Sequence, residues 1–334
     1  MPALPDLPEP LTGSSAPGPV PDAGTRTIER ALGDRARATL PSGIAEFVMF
    51  VLKQGWACLF GGLLLVAMLV TRQVWQDDWP VHRYDALFLF ALGTQLAFLW
   101  LRLETWEEAR VILLFHVTGT AMEWFKVSAG SWSYPEPGIF TVLNVPLFSG
   151  FMYASVGSYM ARVIRIFDMR FAPYPPFWVT VILAVAIYVN FFAHHFLPDI
   201  RLALFAGTVL IFGRVRIWFV IHDRDWWMPL PVAALLSAFM LWIAENIGTA
   251  TSTWVYSGQV PGEMVSFSKL GSWYLLLYVA FVTVTLVVRS PLLPKALDPR
   301  ARATGHAAPR AQTDLRQALA TTGTRPEVRP AAKD

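Results

Sequence analysis

Glu123 is followed nine positions later by Trp132 and eleven later by Tyr134, and Glu245 is followed by Trp254 and Tyr256 at the same two spacings. Each triplet lies at the end of a long apolar segment. A carboxylate among apolar residues is costly, and acids inside membrane segments mark substrate sites, proton relays or buried pairs. Recurrence in one register makes Glu123, Glu245, Tyr134 and Tyr256 the candidate catalytic residues. Trp132 and Trp254 become candidate substrate-binding surfaces, joined by His116, His194, His195, Asn246 and Thr249. His116 precedes Glu123 by seven positions, so the two share a helix face with Thr120 between them. Glu245, Thr249 and Ser252 form a polar stripe with Asn246 beside it. His194 and His195 are adjacent, so only one can point inward along a helix. One imidazole with Glu123 and Glu245 could hold a metal ion. The six His of the chain lack the dense spacing of a membrane metalloenzyme, however, so no metal or cofactor is expected. Plainer roles exist for each residue: Glu123 paired with Lys126 three positions on, the Trp and Tyr as an interfacial aromatic belt, and His116 as an interhelical hydrogen bonder.

The elements that position these residues follow from composition. Of the 334 residues 54% are hydrophobic and 15% charged, against about 25% charged in soluble domains. Eight apolar stretches, at about 47–70, 84–101, 110–128, 147–165, 177–197, 201–221, 232–251 and 270–288, approach the length that crosses a bilayer. The expected fold is an all-α, polytopic membrane helix bundle of about eight transmembrane helices in two parallel four-helix repeats. Asp85 with Arg102, and Asp199 with Arg216, bracket equivalent spans at one separation and echo the duplication. Eight crossings with an inside N-terminus leave all but five of the 27 Lys and Arg on the inner side, the exceptions being Arg72, Arg83, Lys126, Arg201 and Lys269. The positive-inside rule then places both termini in the cytoplasm and the Glu–Trp–Tyr triplets toward the outer leaflet of a bacterial inner membrane.

Four regions are expected: a disordered tail over 1–44, membrane repeats over 45–170 and 171–289, and a disordered basic tail over 290–334. The tails are rich in Pro, Gly, Ala and Arg and too poor in apolar residues to offset the entropy of ordering. The excess charge of +3 is too small and dispersed for nucleic acid, and the single Cys58 excludes an intrachain disulfide.

Gly130-Ser131-Trp132-Ser133-Tyr134, Val145-Pro146-Leu147-Phe148-Ser149-Gly150, Arg102–Glu108 and Ala244–Thr249 resemble an uncharacterised bacterial integral membrane family, domain of unknown function 817, over most of 45–290. More distantly, the acid followed by Gly-x-Trp-x-Tyr is similar to small duplicated membrane carotenoid cyclases and hydratases. In the second copy Ser252 stands in for the Gly, and the Pro-x-Glu-Glu motif of those enzymes is missing, with only Pro261-Gly262-Glu263 near it. Residues and resemblance together imply acid-assisted cyclisation, isomerisation or hydration of an isoprenoid or lipid substrate. A protonated carboxyl would donate to an alkene, and the Trp faces would stabilise the cation. Two rival readings are a proton-coupled transporter of a small or amphipathic solute, and a non-catalytic membrane partner subunit. Spans free of internal Pro count against the transporter, whose helices commonly break at mid-membrane.

Overall fold

A computed structural model describes residues 34–295, apart from 36–37, 77, 194–195, 197, 222–223 and 261–262. Nine helices are defined among the described residues: α1 Ser42–Ala57, α2 Leu59–Val74, α3 Arg83–Trp100, α4 Trp106–Ser128, α5 Phe148–Ile166, α6 Phe177–Ala193, α7 Arg201–Phe212, α8 Leu230–Ala250 and α9 Phe267–Val287. Helix α5 is central and packs on α1, α2, α3, α4 and α9. Its contact with α4 is the most extensive, because glycines bring the two backbones together. Gly119 of α4 faces Tyr153, while Gly157 of α5 faces Phe115. Small residues at such crossings are the usual means of close helix approach. At the far end of the pair Thr105 and Glu108 form a capping box that starts α4. Glu108 then accepts from Arg165 Nε of α5 at 2.7 Å.

Four short strands form two pairs: β1 Trp132–Ser133 with β7 Val255–Tyr256, and β2 Thr141–Val142 with β3 Val145–Pro146. A separate antiparallel sheet runs β4 Arg170–Ala172, β5 Arg216–Ile221 and β6 Arg224–Pro229 in that order.

The chain is mostly helical, as expected, but eight spans in two four-helix repeats are not supported. Among the described residues Leu230–Ala250 and Phe267–Val287 are long and apolar enough to cross a membrane. A third span results if α1 and α2, bent by 69° at Cys58, count as one. Helices α6 and α7 are apolar but short. The stretch 201–221 divides after Phe212, because Gly213 is followed by Ile217-Trp218-Phe219-Val220-Ile221, a β-branched and aromatic run that suits a strand. The resulting hairpin has no counterpart between α3 and α4, where only five residues intervene. Asp85 and Asp199 also do different work. Asp85 accepts from the backbone N–H groups of Ile139 and Phe140 and ties down the loop after β1; Asp199 accepts from Asn190 and the Arg201 N–H. The expected tails fall largely outside the described residues. Their inner boundary shifts, since Pro291 and Leu293 exchange backbone hydrogen bonds with Phe171 and Tyr174.

Candidate functional site

Helices α4 and α8 end in the same way. Gly130 and Ser252 both adopt left-handed backbone, with φ of 68° and 51°. The following N–H groups, of Ser131 and Thr253, bond back to the Lys126 and Gly248 carbonyls at 2.9 and 3.0 Å. This C-terminal cap reverses the chain. It returns the next Trp and Tyr alongside the last helical turns, where the Glu sits. The nine and eleven spacing is therefore the length of one capped turn. Left-handed backbone costs a non-glycine residue roughly 1–2 kcal/mol. Gly130→Ala is accordingly expected to lower stability by about 1 kcal/mol and Ser252→Gly to raise it by somewhat less. Thermal unfolding of the purified chain checks both signs.

Each turn delivers two donors to its carboxylate. Glu123 Oε2 accepts from Trp132 Nε1 at 2.7 Å and from the Tyr134 hydroxyl at 2.8 Å. Glu245 Oε1 accepts from Trp254 Nε1 at 3.2 Å and from the Tyr256 hydroxyl. A third donor reaches the other oxygen from the next long helix. Tyr153 of α5 gives its hydroxyl to Glu123 Oε1 at 2.6 Å, and Trp273 of α9 gives Nε1 to Glu245 Oε2 at 2.7 Å. Both carboxylates are buried, at 2% and 5% exposure, and each is satisfied by three aromatic donors. Among the described residues neither is in an ion pair. Burial first, and the neighbouring carboxylate second, hold the Tyr134 and Tyr256 phenols well above their ordinary range, so both remain protonated donors.

The two turns are joined to each other. β1 and β7 pair antiparallel with Trp132 opposite Tyr256 and Ser133 opposite Val255. The Trp132 and Tyr256 rings meet edge to face at 5.7 Å, and Lys269 Nζ stands 3.8 Å above the Tyr256 ring. The Ser257 hydroxyl donates to the Gly130 carbonyl across the junction. Both cradles wall one cavity of about 600 Å³.

Several sequence expectations stand differently in the structure. Lys126 does not pair with Glu123; its Nζ donates to the Phe191 carbonyl at 2.7 Å, and it lines the cavity. His116 is outside the cavity and packs on Phe151 with ring centroids 4.5 Å apart. Its helical face is shared with Glu123, but Gly150 of α5 closes over it. Asn246 turns away as well, donating to the Trp242 carbonyl and accepting from the Val265 N–H. Thr249 donates to the Glu245 and Asn246 carbonyls within its own helix, as apolar surroundings require of a hydroxyl. His194 and His195 lie outside the described residues. Tyr153 and Trp273 were not legible as site residues. They follow their Glu by 30 and 28 positions, so no shared spacing marks them.

The family comparison fits this arrangement. A family model described as "Protein of unknown function (DUF817)" matches residues 46–281, which contain every residue of both cradles. The chain belongs to the DUF817 family. A relative's likeness extends over most of the chain: the uncharacterized protein YoaT of Bacillus subtilis (strain 168) is 39% identical over 242 residues, covering 72% of this chain and 91% of that one. A solved structure of a cross-linked trimer of the protein MvINS aligns with 57% of this DUF817 chain and 98% of its own, at 18% identity and a TM-score of 0.41. That likeness is too slight to carry an argument. None of these matches shows the likeness to carotenoid cyclases.

Proposed function

We propose that this chain is a multi-pass protein of the bacterial inner membrane that modifies an isoprenoid or lipid by acid-assisted cyclisation, isomerisation or hydration. The observation that carries the reading is that two carboxylates in matching aromatic cradles wall one cavity, yet differ at the third donor. Tyr153 can accept a hydrogen bond as well as donate one, whereas the Trp273 N–H can only donate. A proton on either carboxyl finds a hydroxyl acceptor, Tyr153 or Tyr134 at Glu123 and Tyr256 at Glu245, but the Lys269 cation on the Tyr256 ring favours the charged form of Glu245. Glu123 therefore takes the role of general acid, with the cavity-lining Tyr153 hydroxyl as its relay, and Glu245 stays the carboxylate.

The chemistry balances with no reactant beyond the alkene and, for hydration, one water. The carboxyl proton adds to one alkene carbon, the π electrons forming the new C–H bond and leaving a cation on the neighbouring carbon. That cation is stabilised by Glu245 and by aromatic faces on the cavity wall. It closes by attack of a second alkene and loss of a proton, by simple proton loss, or by capture of water with loss of a proton. Each route returns one proton to the carboxylate pair. The apolar helices support membrane residence, and the twin cradles support descent from a duplication.

Mass spectrometry of membrane lipids and pigments tests the reading in a deletion strain, in that strain carrying the native chain, and in that strain carrying Glu123→Gln with Glu245→Gln. A lipid or isoprenoid is expected to shift by a fixed mass, or in retention time for an isomerisation, with only the native chain restoring it. Three coincident profiles, with both forms of the chain present in the membrane, would sink the enzyme. Proton-coupled uptake would then lead, because the cavity also carries cationic side chains.

A further inference from the structure

The cavity has a second chemistry that the carboxylates do not explain. Lys126, Arg201 and Lys269 all line it, from α4, the start of α7 and α9, and they stand near enough for their charges to repel one another. Glu245 attracts Lys269, although the two form no close ion pair. Lys126 donates to a backbone carbonyl, Arg201 pairs with Asp199 at 3.0 Å, and Lys269 sits on the Tyr256 ring. Arg201 and Lys269 already face Asp199 and Glu245, and what the cavity offers a bound anion is positive donors from three separate helices lining one space. Ser131, Ser268 and Asn190 line the same cavity and supply polar groups to it.

Much of the remaining wall is apolar, and a second cavity adjoins it. This cavity of about 290 Å³, lined by residues such as Phe115, Met122, Val185 and Leu277, shares Tyr153, Val156, Leu241, Trp273 and Leu276 with the first. Tyr153 and Trp273, the third donors to the two carboxylates, are thus the common wall. The cations and carboxylates line the first cavity alone, and the second, beyond Tyr153 and Trp273, has no charged residue in its lining.

We infer that the ligand is an anionic amphiphile, with a phosphate or carboxylate head held by Lys126, Arg201 and Lys269 and a single hydrocarbon chain passing Tyr153 and Trp273 into the second cavity. This deepens the function proposed above and rests on the same cavity. Attraction between a desolvated anion and such a cluster exceeds that of a surface pair, since little water remains to screen it.

The test uses the full chain in nanodiscs of zwitterionic lipid, titrated with farnesyl phosphate, hexadecanoate, farnesol and hexadecanol while tryptophan fluorescence is followed. At least one anion is expected to bind about tenfold or more tightly than its own alcohol. Which anion shows the preference tells a phosphate head from a carboxylate head. Lys269→Gln is expected to bring the preference close to one. Arg201→Gln, at a partly exposed helix start where folding is little challenged, is expected to cut it several-fold. Alcohols binding as tightly as both anions would overturn the inference, as would a preference that survives Arg201→Gln and Lys269→Gln in folded protein. Charge preference without any lipid product would keep this inference and remove the enzyme; a product without charge preference would do the opposite.

Discussion

Glu123→Leu and Glu245→Leu are each expected to cost the folded chain about 3 kcal/mol or more. Either change removes the shared acceptor of three aromatic donors in a buried setting. Each orphaned donor costs about 1–3 kcal/mol, and the added burial of a Leu side chain offsets part of that. Removing a donor instead of the acceptor has a different consequence. Trp132→Phe leaves Glu123 with Tyr134 and Tyr153 and should cost about 1 kcal/mol. The contrast is the diagnostic feature, because an acceptor serving three groups is worth more than any of the groups it serves. Denaturant or thermal unfolding of the purified chain, with both classes of variant side by side, measures it. Losses for the two Leu variants no greater than that for Trp132→Phe would mean that the cradles do not hold the fold together. The stability effect is separate from catalysis, so the lipid analysis uses Gln, which is closer in shape and retains an acceptor.

Gly119→Ala and Gly248→Ala are expected to destabilise by about 1–3 kcal/mol each and to disturb the site beyond that. A Cβ on Gly119 would come 2.6 Å from the Tyr153 Cβ, an atom near the backbone that cannot swing aside. One on Gly248 would collide with the Trp254 ring. The first change pushes on the third donor to Glu123, and the second on the first donor to Glu245. Gly62 supplies the comparison. It lines the same cavity, yet a Cβ there meets nothing within 4 Å. Gly62→Ala should be neutral or stabilising by up to about 1 kcal/mol through helix propensity. Melting temperature and lipid product are read together for all three. Equal behaviour at Gly62 and Gly119 would show that the α4–α5 approach leaves Tyr153 room to move.

The repeated Glu–Trp–Tyr spacing was readable in the sequence because it is local. A helix end, one left-handed residue and a short return place the Trp and Tyr beside the Glu within twelve residues, Glu123–Tyr134 and Glu245–Tyr256, and both copies use the same residue types. Helical character was legible for the same reason, as was membership of the DUF817 family from its motif residues. What covers His116, Asn246 and Thr249, which do not line the cavity, was not legible. Helical periodicity tells which residues share a face, but not which neighbour covers it; Gly150 covers His116, and the loop at Val265 captures Asn246. The division of 201–221 into helix and strand escaped a hydropathy reading, since apolar length does not distinguish a spanning helix from a short helix with a buried strand.

Contacts across long separations were decided by tertiary structure alone. Trp132 meets Tyr256 through a strand pair whose members lie in opposite halves of the chain, and Tyr153 and Trp273 arrive from later helices at unequal spacings. Charge placement set Lys126, Arg201 and Lys269 apart with Arg72 and Arg83, but that these three of the five line one cavity is likewise not marked along the chain. Local hydrogen-bonding rules act over a few residues and leave their mark in spacing. Which of two buried oxygens meets a hydroxyl and which an indole depends on how helices pack, and packing has no linear signature.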